Sequence, residues 1–143
     1  MADKIDYHKS VNYSQADPMK VLAQNEGKAT SKNMPDGFSE IEGTRGESAY
    51  LFKMPGGYGA FVQEGLGTKS LIAQAVYKET GKSYFEAIAQ DTVACIINDL
   101  ASVGAKPVVL NAYWSSSSYE WLTDEKMAGD LIKGWRKACD EAQ

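Results

Sequence analysis

Six consecutive residues, Glu64-Gly65-Leu66-Gly67-Thr68-Lys69, bring together an acid, two glycines, a hydroxyl and an ammonium. Placed between a strand and a helix, such a stretch can cradle a phosphate. Glycines reach positive φ and let an anion approach the main chain, while a helix N-terminus offers free N–H donors and the positive end of a dipole. Lys69 would add charge. Glu64 would give a hard oxygen to Mg2+, whose shell substrate phosphates usually complete. The Walker A pattern G-x-x-x-x-G-K-[ST] does not occur in the chain. On spacing alone the stretch reads first as a structural turn, with Glu64 a solvated charge at a strand end.

A second constellation is Asp91, Cys95, Asn98, Asp99 and Ser102, leading into Gly104-Ala105-Lys106-Pro107. Offsets of four, seven, eight and eleven put these residues on one side of a helix. An ordinary exposed face carries Lys, Glu and Gln. This one carries short oxygen-bearing side chains with small neighbours, Ala94, Ala101 and Gly104. Such a face suits metal or phosphate contact close to the main chain, and a plain solvated face is the alternative.

The remaining reactive residues exclude more than they suggest. His8 is the only histidine, so no zinc site with two or more histidines can form, and a Ser-His-Asp mechanism would rest on this one residue. It reads as a surface residue. Cys95 has no basic sequence neighbour to lower its pKa and reads as a small residue; Cys139 reads as packing. Ser115 to Ser118 read as a solvated turn. Trp114, Trp121 and Trp135 read as packing anchors, since no basic groove accompanies them as in a base-stacking platform.

At 143 residues with a formal net charge of -4, the chain is one domain by size and lacks the basic face of a nucleic-acid binder. Two separated cysteines do not make a disulfide framework, no apolar run reaches membrane-spanning length, and the first residues hold no signal core. The expected location is the cytoplasm, with a small molecule, not nucleic acid or a membrane, as partner.

The elements that must position these residues follow from pattern. Residues 1–48 form an arm with a short helix, Ser14 as its N-cap, to about Glu26, then a mobile glycine-containing loop over 27–48. Residues 49–143 form the core. Strands are expected at 49–54 and 58–63 around Pro55-Gly56-Gly57. A helix capped by Thr68 runs through Lys78 with Leu71, Ile72, Ala75 and Val76 inward, and Gly81 ends it. The longest helix spans Ser83 to about Val103, with Phe85, Ile88, Ala89, Val93, Ile96 and Leu100 as its apolar stripe. A strand at 107–114 and a helix from about Asp124 to Glu141, with Met127, Leu131, Ile132, Trp135 and Ala138 inward, complete the order. The class is α+β, sandwich-like: a small mixed sheet with helices on one face and another cover, such as a second copy, on the other.

These residues resemble the N-terminal, ATP-binding domain of the aminoimidazole ribonucleotide synthetase superfamily, and within it the phosphoribosylformylglycinamidine cyclo-ligases. That family carries an acid-Gly-x-Gly-Thr-Lys turn, here Glu64 to Lys69. It also carries a helix beginning with Asp and ending in Asn-Asp before Gly-Ala-x-Pro, here Asp91, Asn98, Asp99, Gly104, Ala105 and Pro107. Tyr7, Lys9, Val11 and Asn12 are similar to the family's N-terminal start. The strong similarity spans about residues 58 to 114.

The resemblance implies ATP and Mg2+ against the glycine turn and the acidic helix, and a homodimer whose small sheets pair into a barrel. It implies phosphoryl activation of the formyl oxygen of formylglycinamidine ribonucleotide, then ring closure to aminoimidazole ribonucleotide with ADP and phosphate as products. Glu64, Asp91 and Asp99 are expected near metal, with Asp99 and Glu64 acting in catalysis. Gly65, Gly67, Thr68, Lys69 and Asn98 are expected at the nucleotide, with Lys28 or Lys32 a further loop lysine. Where the family has Asp, this chain has Glu64. The family's Gly-Gly-Glu-Thr segment and second domain lie beyond the last helix seen here, so the chain fits an N-terminal domain inactive by itself. Selenophosphate synthetase, thiamine-phosphate kinase and hydrogenase-maturation relatives are the alternatives. So is a non-catalytic dimeric nucleotide-binding module.

Overall fold

The structure is a computed structural model in which residues 13–65 and 67–142 are described. His8 and the motif residues Tyr7, Lys9, Val11, Asn12 and Leu66 lie outside them. The chain divides into two compact units, one through Phe61 and one from Val62. The boundary follows the strand hairpin, which therefore belongs with the N-terminal arm.

In the first unit, helix α1 covers Tyr13–Ala29 and carries Pro18 inside it. It already runs at Tyr13, so Ser14 is helical and not the N-cap. Past its end, Thr30 Oγ1 donates to the carbonyl of Gly27 at 2.7 Å and Ser31 Oγ to that of Lys28 at 2.8 Å. These hydroxyls serve carbonyls that a helix terminus leaves without partners. A 3-10 turn, Ser31–Asn33, follows.

Strands β1 (Ser39–Glu40), β2 (Tyr50–Met54) and β3 (Gly57–Phe61) form an antiparallel sheet in that order. The hairpin register pairs Met54 with Gly57, so Pro55-Gly56 alone makes the turn. Proline presets its first φ, and Gly56 takes φ +85°, which L side chains rarely adopt. Phe52 faces Gly59 across the hairpin, and its ring fills the space a Cβ on Gly59 would need. Phe38 and Tyr50 stack on Phe52 with ring centroids 6.5 and 6.3 Å away.

The stretch expected as a loop over 27–48 is more structured than that. It supplies β1, and Arg45 binds Glu40 through two hydrogen bonds of 2.9 and 2.7 Å while lying over the Tyr50 ring. Gly27 and Gly46 let α1 come close to this loop: a Cβ on either would collide with the side chain of Arg45 or Gln24.

The second unit holds α2 (Thr68–Thr80), α3 (Phe85–Ser102), α4 (Tyr119–Thr123) and α5 (Met127–Glu141). Its core lies between α3 and α5. From α3 come Phe85, Ala89, Val93, Ile96 and Leu100; from α5 come Met127, Leu131, Gly134 and Ala138, all buried. The i, i+4, i+7, i+11 spacing on α5 is the repeat of one packed helix face. Fully burying Phe85, Leu131 and Val93 contributes about 1.5–3 kcal/mol each. Asp124 Oδ1 accepts the backbone N–H groups of Lys126 and Met127 at 2.9 and 2.7 Å, which starts α5.

Three expectations about this unit change. First, α2 turns Ala73 and Tyr77 toward the core and leaves Leu71 and Ile72 exposed. Second, Ile132 is exposed, and Gly134 takes an inward position that hydrophobicity alone would not assign. Third, the strand expected at 107–114 has no ladder partner among the described residues. Val108 is 91% exposed and Tyr113 82%. The sheet is consequently antiparallel throughout, not mixed. Trp114 at the end of that segment packs edge-on to Trp135, its buried indole N–H without an acceptor among the described residues. Among the described residues no helix is long and apolar enough to cross a membrane.

Candidate functional site

The site is built where α2 begins. Gly67, with φ −89° and ψ −150°, is the residue before the first helical turn, so Thr68 is the first helical residue and not the cap. Gly67, having no side chain, offers no side-chain cap to the helix. Ser70 instead turns back, its N–H and hydroxyl both reaching the Gly67 carbonyl, at 3.2 and 2.8 Å. Among the described residues, the N–H groups of Thr68 and Lys69 have no backbone acceptor and are left for solvent or a ligand. Glu64 lies three residues beyond the end of β3, in the irregular approach to the helix.

The two glycines have a specific meaning here. Neither Gly65 nor Gly67 takes a positive φ, contrary to the expectation that they would bend the chain that way. A Cβ on either would meet nothing within 4 Å. The turn's own geometry therefore does not require glycine. What the missing side chains leave is open space against the main chain, which is what a phosphate needs.

Opposite this turn stands the face of α3. Together they enclose a cleft of about 160 Å³. The turn contributes Glu64, Gly65, Gly67, Thr68 and Lys69; α3 contributes Ile88, Asp91, Thr92 and Cys95. Lys69 reaches across and forms an ion pair with Asp91. That hydrogen bond, backed by the Asp91 charge, pushes the Lys69 ammonium above the usual lysine range. The Lys69 side chain is 65% exposed and that of Asp91 46%, so water screens the pair and it contributes little to stability.

Seven of the residues singled out in the sequence therefore meet: Glu64, Gly65, Gly67, Thr68, Lys69, Asp91 and Cys95. Asn98 and Asp99 do not line this cleft. Asp99 follows Asp91 by eight residues, about 12 Å along a helix at 1.5 Å per residue. It is half-buried, and its carbonyl accepts the Ser102 hydroxyl at 2.7 Å. Two carboxylates that far apart do not share one ion. Lys28 and Lys32 belong to the first unit, at the end of α1 and in the 3-10 turn. Ile88 and Thr92 also line the cleft, although neither carries a charge or a metal-ligating group that marks it in the sequence. Ile88, Asp91, Thr92 and Cys95 follow the i, i+3, i+4, i+7 spacing of one helix face, and that spacing is the signal that finds them. Thr92 Oγ1 donates to the Ile88 carbonyl at 2.8 Å, keeping its oxygen available as an acceptor.

The donors suit a hard cation carried with phosphates. Glu64 and Asp91 supply carboxylate oxygen, and the open glycine turn supplies room for the anion. Among the described residues no three acids, thiols or imidazoles gather closely enough to hold a metal ion. Mg2+ commonly binds through one or two carboxylates, with substrate phosphates and water filling the rest of its octahedron. The two cleft carboxylates fit that pattern, not a closed protein cage.

Known proteins are similar to this chain in sequence. The cyclo-ligase of Pyrococcus furiosus, named phosphoribosylformylglycinamidine cyclo-ligase, is 37% identical over 81 residues, covering 57% of this chain and 22% of its own length. The one of the same name from Carboxydothermus hydrogenoformans is 40% identical over 79 residues, 55% of this chain and 20% of its own length. That of Synechocystis sp. is 31% identical over 107 residues, 72% of this chain and 28% of its own length. The chain thus spans roughly a quarter of the length of the curated relatives it matches. No solved structure matches it. Residues 46–143, which contain the glycine turn, Asp91 and the α3–α5 core, match the family described as AIR synthase related protein, N-terminal domain. The chain belongs to that family.

Proposed function

We propose that this chain is the nucleotide-binding part of an ATP-dependent cyclo-ligase of purine biosynthesis. The reaction closes formylglycinamidine ribonucleotide to aminoimidazole ribonucleotide and releases ADP and phosphate. The observation that carries the reading is the cleft that joins the Glu64-to-Lys69 turn to Asp91, in a chain of this family with relatives that bear the cyclo-ligase name. The enzyme is cytoplasmic, and its active form is a homodimer in which the small sheets of two copies pair.

In this reading each residue has a limited task. Gly65 and Gly67 leave the main chain bare so that phosphate oxygens reach the first N–H groups of α2, and Thr68 adds its hydroxyl. Lys69 supplies positive charge to the same oxygens. Glu64 and Asp91 would hold Mg2+, which when bound would supply positive charge against the phosphates. Catalysis of that kind is positioning and charge stabilisation, so no residue here needs to be a nucleophile. Asp99 and Asn98 act at a second position farther along α3, against another part of the nucleotide or another ion.

Calorimetric titration of the 143-residue chain with Mg-ATP tests the reading, with circular dichroism confirming the fold. Saturable binding in the micromolar to millimolar range supports it. A folded chain that gives no heat at millimolar Mg-ATP overturns it and favours a module without nucleotide chemistry.

A further inference from the structure

We propose that Lys69 is a place-holder for the metal: its ammonium occupies the Asp91 carboxylate until nucleotide phosphate draws it away. Metal and nucleotide then enter the cleft together, not one after the other. The inference rests on the nucleotide reading above and adds an order of events to it.

The geometry makes the exchange a local one. Lys69 lies in the first turn of α2, two residues past Gly67 and so beside the N–H groups that would hold phosphate. Asp91 faces it from α3 across the cleft. One ammonium is thus within reach of two anionic positions, the Asp91 carboxylate and the open space before the glycines. Without phosphate only the first of these is charged, and the ion pair forms there. A bound phosphate presents more negative charge than a single carboxylate, at the positive end of the helix.

The pair is also easily opened. The Lys69 side chain is mostly exposed and that of Asp91 nearly half exposed, and pairs so open to water contribute little to stability. No buried group has to be uncovered when Lys69 swings toward the turn, since nothing occupies the space within 4 Å of a Cβ on Gly65 or Gly67. Once Lys69 leaves, Asp91 is a free carboxylate in the same cleft as Glu64. A divalent cation arriving alone meets the opposite situation. It must displace an ammonium from one of its two carboxylates, and that ammonium goes to solvent with no phosphate to hold it away.

The consequence is a chain that resists metal without nucleotide. Mn2+ alone serves as the probe, read by electron paramagnetic resonance of free Mn2+, with the wild type, Lys69→Met, Lys69→Arg and Lys69→Met/Asp91→Asn compared. Removing the ammonium is expected to tighten Mn2+ binding roughly tenfold, from the lost competition and repulsion. Lys69→Arg, which keeps a cation opposite Asp91, is expected to stay near the wild type, and Asp91→Asn is expected to cancel the gain. Equal Mn2+ affinity in Lys69→Met and wild type overturns the inference, as does a gain that survives Asp91→Asn. Mg-ATP titration of the wild type separates the two levels. A chain that binds Mg-ATP but shows no Lys69→Met effect loses only the place-holder, whereas a chain that binds no nucleotide loses both.

Discussion

Gly134 of α5 lies directly against the main chain of Glu86 in α3. A Cβ at residue 134 would stand 2.6 Å from the Glu86 carbonyl oxygen and 2.7 Å from its Cα. Backbone atoms in a helix cannot step aside as a flexible side chain can. Gly134→Ala is therefore expected to destabilise the chain by about 1–3 kcal/mol, the cost of overpacking, although alanine is the better helix former. Gly129 in the same helix has nothing within 4 Å of its Cβ position. Gly129→Ala is expected to stabilise by up to about 1 kcal/mol. Thermal melts of the two variants check the contrast. A Gly134→Ala chain that melts at or above the wild type would remove the close helix contact from the account.

Arg45 and Glu40 tie β1 to the loop behind it, and this pair gives the first unit an acid-sensitive element. The hydrogen bonds from Arg45 hold the Glu40 carboxyl below its ordinary 4.5, even though desolvation acts the other way. A carboxylate whose folded pKa is depressed contributes stability that is present above its unfolded pKa. That stability is lost as pH falls through the folded value. Glu40→Gln should therefore be less stable than wild type at pH 7, and the gap should close as pH drops below about 4.5. Urea unfolding at several pH values, followed through tyrosine fluorescence, measures the gap. A difference that stays constant down to pH 3 would mean that the ionised pair contributes nothing.

The sequence exposes those elements whose signal is local. Pro55-Gly56-Gly57 announces the hairpin because proline and a positive-φ glycine fix the turn without help from the rest of the chain. The α3 stripe is visible because five of its apolar residues do enter the core. Gly81 closes α2 at φ +70°, with its N–H on the Tyr77 carbonyl at 2.8 Å. What stays hidden depends on partners distant in sequence. Val108, Val109 and Leu110 have the composition of a strand, but a ladder needs a neighbour, and none pairs with them among the described residues. The two residues of β1 are too few to carry a pattern, and only their pairing with β2 defines them. On α2 the larger residues Leu71 and Ile72 suggest the inward face, yet the small Ala73 is what fits the crowded contact. At the site, the glycine turn and Asp91 are legible as a phosphate-and-acid pattern. The Lys69–Asp91 pairing is not, since 22 residues separate them in sequence.

Asp91 and Asp99 stand two turns apart on α3, and this makes a quantitative prediction about Mg-nucleotide binding. Residues more than about 7–10 Å apart that share no partner contribute additively, to within roughly 0.5 kcal/mol. The separation along the helix is about 12 Å. Asp91→Asn and Asp99→Asn are therefore each expected to weaken Mg-ATP binding, and the double variant to lose the sum of the two effects. Calorimetry of the three variants decides it. A double variant no weaker than the worse single one would place both carboxylates on one ion, against the geometry of the helix.

Gly67→Ala separates a binding turn from a merely structural one. Its backbone angles suit alanine, and the added Cβ would touch nothing within 4 Å, so the folded chain should accept it. The loss of glycine at the residue before the first helical turn costs under about 1 kcal/mol. The new methyl group would, however, occupy the space through which a phosphate approaches the N–H groups of α2. Affinity for Mg-ATP is expected to fall roughly tenfold, equivalent to about 1.4 kcal/mol, and further with the bulkier Gly67→Val. A matched pair of measurements, thermal melting and calorimetric titration, reads the two effects apart. Unchanged melting with weakened binding is the signature of a ligand at the turn. Unchanged melting with unchanged binding would leave the glycines without a role in nucleotide recognition and would move the phosphate site away from α2.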